Sequence, residues 1–353
     1  MGNTKGFQGV VGLKRGSQWG TPVLVGADCG IEILQDGIAA EVALIPNEQI
    51  SGSCQMRAGD RGAEFHRGDL SLNAKFDSLA LPWALAFGKA GTPTQQGSDS
   101  AWKHAFRIGN DLEGLFATLV LDYQIEVREY PSVKVSGFKF ECSQGDQVAK
   151  LTFPLIASSL NRNTTAGLNR TSTIPGITMP TNRQRLLFSQ MAVRLNDADG
   201  PALGPSDVQF VNGFTLEMDR KLKNDDVTTQ LGYLIDEPLQ DGFTEVTGSL
   251  SFSKYATDNI ARFTEMLQKT RKKLDVAFTG PVANGATRYA QAFFLNDVQF
   301  ESGQAQIGGP GLTPWTLNFK AHVVSAAPTG FDPTHTDACQ MTLINTLASD
   351  PLA

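Results

Sequence analysis

The sequence predicts a mainly β chain: two tandem β-sandwich or barrel-forming domains, each with one short α-helix, plus extended arms at both termini. Three observations carry that prediction. Short runs alternate apolar and polar residues with the period of two that marks a half-buried strand. The chain holds 35 Gly and 17 Pro, with 21 Phe against 5 Tyr, a composition of many strands joined by turns. Five short segments recur in the same order in both halves. The length points the same way, because 353 residues exceed the roughly 250–300 at which a single core stops growing.

The N-terminal stretch to about Gly26 is Gly-rich and mildly basic, with Lys5, Lys14 and Arg15, and is expected to be an arm. The repeat begins beyond it. Gly30-Ile31-Glu32-Ile33 matches Gly213-Phe214-Thr215-Leu216, and Leu44-Ile45-Pro46-Asn47-Glu48 matches Leu234-Ile235-Asp236-Glu237. Gly68-Asp69-Leu70-Ser71-Leu72 matches Gly248-Ser249-Leu250-Ser251-Phe252. Val135 to Glu141 matches Leu295 to Glu301, and Leu151-Thr152-Phe153 matches Leu317-Asn318-Phe319. Length differences between the copies fall in Gly88–Ser100 and Gly303–Thr313, both of loop composition.

Strand alternation is clearest at Phe214, Leu216 and Met218, at Val133, Val135, Phe138 and Phe140, and at Ala292, Phe294, Val298 and Phe300. A helix is expected after each Leu-Ser-Leu or Leu-Ser-Phe strand. In the first copy Asp77 or Ser78 would cap it, with Pro82 in the first turn. In the second, Thr257 or Asp258 would cap it, and Ile260, Phe263, Met266 and Leu267 would mark one face. Lys269, Arg271, Lys272 and Lys273 would then complement its C-terminal dipole. These elements divide the chain into a first domain with its arm (1–160), a linker (161–184), a second domain (185–326) and a C-terminal tail (327–353). The tail carries an apolar run around Met341–Leu347 and is expected to dock onto something.

Charge and motifs narrow the function. The net charge of −6 argues against a dedicated nucleic-acid binder. Four cysteines, Cys29, Cys54, Cys142 and Cys339, are too sparse for a disulfide scaffold and read as thiols of a reducing compartment. The first 30 residues hold no signal-peptide apolar core, and no apolar run approaches the ~20 residues that span a bilayer. A soluble, non-exported chain is expected. No phosphate loop, dinucleotide fingerprint or nucleophile elbow occurs. Ser251-Phe252-Ser253-Lys254 spells a serine-acylase tetrad, but it lies in an expected strand without its partner motifs. His66, His104, His322 and His335 show no metal-ligand spacing. Asp197-Ala198-Asp199-Gly200 fails the calcium-loop ligand set and reads as a turn. Arg67-Gly68-Asp69 reads as part of a strand, and the sequons at Asn163 and Asn169 have no role without export. Neither enzymatic activity, cofactor nor metal is expected. Asn224, Asp225 and Asp226 read as a solvated turn.

From about residue 20 to 325, the order of these elements resembles the tail tube protein of long-tailed, siphophage-type bacteriophages, in the version with two tandem tube domains. The units that carry the resemblance are Gly68–Lys89 and Gly248–Lys272, with closing strands at Leu151-Thr152-Phe153 and Leu317-Asn318-Phe319. The resemblance implies a structural virion protein whose strands join those of its neighbours around a lumen, with a helix outside. Three chains would form a pseudo-sixfold ring, and rings would stack into a conduit for DNA during ejection. The implied partners are the chain itself, the initiator or baseplate, length-determining and terminator proteins of the tail, and double-stranded DNA passing without tight binding. No membrane is implied; the location would be the virion tail, assembled in the host cytoplasm. Glu126, Glu141, Asp297 and Glu301 are candidates for an acidic lumen wall. The N-terminal arm, Gly37–Gly59, the Lys223–Gln230 turn with Asn224, Asp225 and Asp226, and the C-terminal tail are candidates for stacking contacts. The alternatives are another tube-fold ring protein of a phage tail-end, baseplate or secretion system, and a two-domain β-sandwich binding module or enzyme.

Overall fold

The computed structural model describes residues 6, 9–50, 52, 54–162, 176–179, 183–223, 225, 232, 234–257 and 259–352. The chain is mainly β. Its first half carries β1 (Val10–Arg15), β2 (Gln35–Asp36), β3 (Ala39–Asn47), β4 (Arg57–Asn73) and helix α1 (Ala80–Phe87). There follow β5 (Gly88–Ala90), β6 (Thr94–Gln95), β7 (Trp102–Ile108), β8 (Ala117–Asp122), β9 (Val127–Val135), β10 (Gly137–Ser143), β11 (Lys150–Ala157) and β12 (Asn161–Arg162). The second half carries β13 (Met191–Asp197), β14 (Val208–Gln209), β15 (Gly213–Asp219), β16 (Glu245–Phe252) and helix α2 (Ala261–Gln268). It closes with β17 (Lys272–Asn284), β18 (Thr287–Ser302), β19 (Trp315–His322) and β20 (Gln340–Asn345).

Antiparallel pairing links eight strands in the order β2–β4–β11–β10–β15–β16–β19–β18, so the sheet runs without a break from the first half into the second. The crossing point is β10 against β15, with Phe140 opposite Leu216. β9 and β10 form one line bent at Gly137. A Cβ there would overlap the Met218 carbonyl, so glycine is required for this close approach. β9 leads outward to β8 and β1. Similarly, the first part of β18 lies between β17, which leads to β13 and β14, and β20.

Alternation explains the packing. Leu70, Leu72, Phe138, Phe140, Leu151, Phe153, Phe214, Leu216, Leu250, Leu317 and Phe319 are buried on one face of the eight-stranded sheet. They pack on the second layer, where Phe140 meets Phe293 at 5.1 Å and Phe278 at 5.5 Å between ring centroids. One cluster of buried apolar residues draws on both halves.

The two helices differ in kind. The sequence of α1, ALPWALAF, is apolar all round, so the helix lies inside the core and not on its outer surface. Trp83 is fully buried and stacks edge-on against Phe138, Phe153 and Phe293 at 5.0, 5.5 and 5.8 Å. Neither Asp77 nor Ser78 caps α1; Leu79 holds the N-cap position, while Asp77 accepts a long bond (3.4 Å) from Thr346 N–H. At the other end, the buried Arg220 guanidinium donates to the carbonyls of Phe87 (2.8 Å) and Gly109 (2.5 Å). It ties the end of β15 to the C-terminus of α1, and burial lowers its pKa to about 10.

The second helix is shorter than expected. Ile260 stands at its N-cap without a side-chain cap, and Asn259 bonds the preceding turn through Ala256 N–H and the Lys254 carbonyl. Thr257 makes no cap, and Asp258 lies outside the described residues. Lys269 adopts the left-handed conformation (φ 52°) and ends the helix. Lys272 and Lys273 therefore open β17 instead of loading the helix terminus. Lys272 pairs with Asp197 (2.7 Å) and Glu265 (2.6 Å), while Lys273 donates to the carbonyls of Gly200 and Thr329.

The described parts of both terminal segments belong to the body of the fold. Val10–Arg15 is a strand of the sheet, paired with β8. The tail docks, and its dock is this chain: β20 lies between β18 and β7, burying Cys339, Met341 and Leu343. Phe294, expected on a buried face, is half-buried beneath Phe331 of the tail, while Tyr289, Phe293 and Leu295 face the core. Of the expected linker, β12 and residues 176–179, 183 and 184 are described, and the remainder lies outside the described residues.

Candidate functional site: a polar sheet face with two apolar ends

The outer face of the eight-stranded sheet is mostly polar. Hydroxyl and amide side chains bridge neighbouring strands: Ser71 to Thr152 (3.3 Å), Thr215 to Ser249 (2.8 Å), Ser251 to Thr316 (3.1 Å), and Asn318 to Ser302 (2.9 Å). Ser251, the first residue of the acylase-like tetrad, is thus one rung of this ladder. The signal was present in the sequence as the alternation Thr247, Ser249, Ser251 against Val246, Leu250, Phe252.

Charges on these strands are mixed and slightly acidic. Asp69, Glu141, Glu217, Asp219, Glu245 and Glu301 stand against Arg67, Lys139, Lys150 and Lys320. Lys139 pairs with Glu141 at 2.9 Å, and Lys320 with Glu245 at 3.2 Å. Hydrogen bonds from Lys221 and Lys320 hold the Glu245 carboxyl below its ordinary pKa. Such a surface has no concentrated positive field that would hold a polyanion.

The four expected acidic residues separate. Glu141 and Glu301 lie on this face, lining shallow clefts with Thr215, Ser251, Glu217 and Asn318. Glu126 sits in the turn before β9, paired with Arg128 at 2.7 Å and with Arg162. Asp297 is buried and held by Arg271 at 2.8 Å. Of the expected acidic turn, Asp225 is exposed, while Asn224 and Asp226 lie outside the described residues.

Exposed apolar residues gather at the two ends of the strands. The register places the β15–β16 connection, the end of β19 and the β3–β4 hairpin at one end. Exposed there are Phe243 (94%), Leu239 and Val323. At the opposite end stand Phe210 (83%), Ile307 (91%) and Leu312. The hairpin is the largest feature, within the Gly37–Gly59 region expected to make contacts. β11 stops at Ala157 opposite His66, so Arg57–Phe65 pairs with β3 alone. At about 3.3 Å per residue, this leaves an overhang of about 30 Å. Val42, Leu44, Ile45, Ile50 and Met56 are exposed on it. An isolated two-stranded ribbon is marginal in water, so these residues call for a partner surface.

Among the described residues, no helix is long and apolar enough to cross a membrane, and no three His, Cys, Asp or Glu side chains gather as metal ligands. All four cysteines are free; Cys142 and Cys339 are buried, and burial pushes the Cys142 thiol up to about 12. No curated protein matches the chain. The family described as phage tail tube protein matches residues 6–321, nearly the whole length. On that match, and on the mainly β fold that accompanies it, the chain belongs to the phage tail tube protein family, a structural component of the virion tail.

Proposed function

We propose that this chain is the major tube subunit, that three copies close side by side into a ring of pseudo-sixfold symmetry, and that rings stack head to tail around a bore for DNA. The observation that carries this reading is the eight-stranded sheet with one polar face and exposed apolar residues at both strand ends. Its two halves repeat a pattern: β4 next to β11 next to β10, and β16 next to β19 next to β18, which supports an origin by duplication and two tandem tube domains. Beyond Val298 the outer edge of β18 pairs with no strand among the described residues, and Lys269 Nζ donates to the Phe300 carbonyl there at 2.9 Å. Closure with the next copy would remove such an edge.

The arithmetic of closure suits the role. Three chains contribute about 24 strands. Spaced about 4.8 Å apart and tilted about 40°, these close at a backbone diameter of about 48 Å. Side chains reduce this to a bore of roughly 35–40 Å, wide enough for a duplex. Glu141, Glu217 and Glu301 would face it, with Glu126 and Asp297 held in ion pairs, so the acidic lumen narrows to the first three. The hairpin and the Phe243 end of one ring would meet the Phe210, Ile307 and Leu312 end of the next. That contact is heterologous and open, so it propagates as a filament.

Cysteine protection tests the arrangement. In a Cys54→Ser background, Glu217→Cys should react with a maleimide larger than the bore in the free subunit and become protected in filaments. Equal labelling in both states would place this face outside and refute the lumen assignment.

A further inference from the structure

At the end of β4 remote from the hairpin, a cleft is lined by Glu32, Ile33, Asn73, Lys75, Arg183 and Arg185. Lys75 is 95% buried there, since its exposure is 5%. It pairs with Glu32, which also accepts from Arg183 at 2.7 Å. Arg185 is drawn alongside by an isolated antiparallel bridge to Lys75 and is itself exposed. Three cations thus line a cleft whose one lining carboxylate is Glu32. Burial, and then the charges of Arg183 and Arg185, lower Lys75 to about 8.

The complementary surface lies at the other end of the same strands. The segment Asp219–Glu245 holds seven acidic residues against Arg220, Lys221 and Lys223. Arg220 is buried under the core, and Lys221 is engaged by Asp219 (2.8 Å) and Glu245 (3.0 Å). Asp225, Asp236 and Asp241 are exposed.

We propose that the Lys75–Arg183–Arg185 cleft of one copy receives the carboxylates of Asp225 and Asp241 from the β15–β16 connection of a second copy stacked on it. This rests on the head-to-tail reading above and adds the charge pairing that sets its polarity and register. Like ends repel, acidic on acidic and basic on basic, so head-to-head stacking is disfavoured. The cleft sits at the strand ends and already contains a carboxylate, which favours a protein acid over the phosphates of a duplex running along the sheet.

Charge exchange in the full chain tests this. Arg183→Glu with Arg185→Glu should raise the concentration needed for filaments by about tenfold or more at low salt, with thermal unfolding unchanged. Asp225→Lys with Asp241→Lys should do the same. Combining all four substitutions should bring that concentration back to within about threefold of wild type. Wild-type filaments that persist unchanged in the arginine variant overturn this contact alone, as does a fourfold variant that shows no recovery. An arginine variant that assembles normally but loses affinity for duplex DNA assigns the cleft to phosphate instead. A wild-type chain that stays monomeric at every concentration and salt overturns both the contact and the stacking reading.

Discussion

Replacing Trp83 with alanine removes the side chain on which the two halves of the chain meet. The indole is fully buried and stands 5.0 Å from Phe138, 5.5 Å from Phe153 and 5.8 Å from Phe293, the last contributed by β18. A buried Trp→Ala change costs about 3–5 kcal/mol. The edge-on ring pairs add about 0.5–1.5 kcal/mol each beyond area, so the expected loss lies near 5 kcal/mol. At about 2–4 °C per kcal/mol, Tm should fall by about 10–20 °C. Trp83→Phe is the informative companion. The indole Nε1 finds no acceptor among the described residues, so phenylalanine loses volume but no hydrogen bond, at an expected cost of about 1–2 kcal/mol. Differential scanning calorimetry on the unassembled subunit reads both variants. Because Trp83 spans the halves, the whole transition should move as one. Two separate transitions, of which only one shifts, would refute a core shared between the halves.

Other outcomes follow from the same contacts. Leu44→Lys with Ile45→Lys lies on the overhanging hairpin; stability should hold within about 0.5 kcal/mol while sedimentable filaments disappear. Glu217→Lys with Glu301→Lys should leave assembly intact, yet raise the affinity of the tube for duplex DNA and steepen its salt dependence in a fluorescence binding assay. His335 is fully buried, and burial draws it down to about 4, below its unfolded value near 6.5. Its contribution is therefore complete above about pH 6.5 and is lost as the pH falls towards 4, about 3 kcal/mol in all. In His335→Gln, urea unfolding across that range should lose that part of the slope.

How much of this was legible in the sequence depends on the range of the interaction. Strand alternation is local, and it located β10 and β15 with their buried faces, while the ordered repeat located β4, β16 and β19. It failed on β18, where Asn296, Asp297 and Val298 are buried in succession and the facing changes after Leu295. That irregularity separates Phe294 from the core. The lysines at 272 and 273 resembled a helix terminus because nothing local marks a buried ion pair; Asp197 and Glu265 reach Lys272 only through tertiary packing. The same holds for the acidic residues: Glu141 and Glu301 follow the pleat, whereas Glu126 and Asp297 are fixed by Arg128, Arg162 and Arg271. The Met341–Leu347 run revealed a docking segment but not its dock, which β7 supplies from more than 200 residues away in the first half and β18 from about 50 residues away in the second.

The most direct test of the central claim is electron microscopy of the purified chain across a concentration series, with the tail initiator complex added at the last step. The account predicts hollow filaments with a regular axial repeat and three chains in each ring. Uniform small particles at every concentration, with and without the initiator, would contradict it.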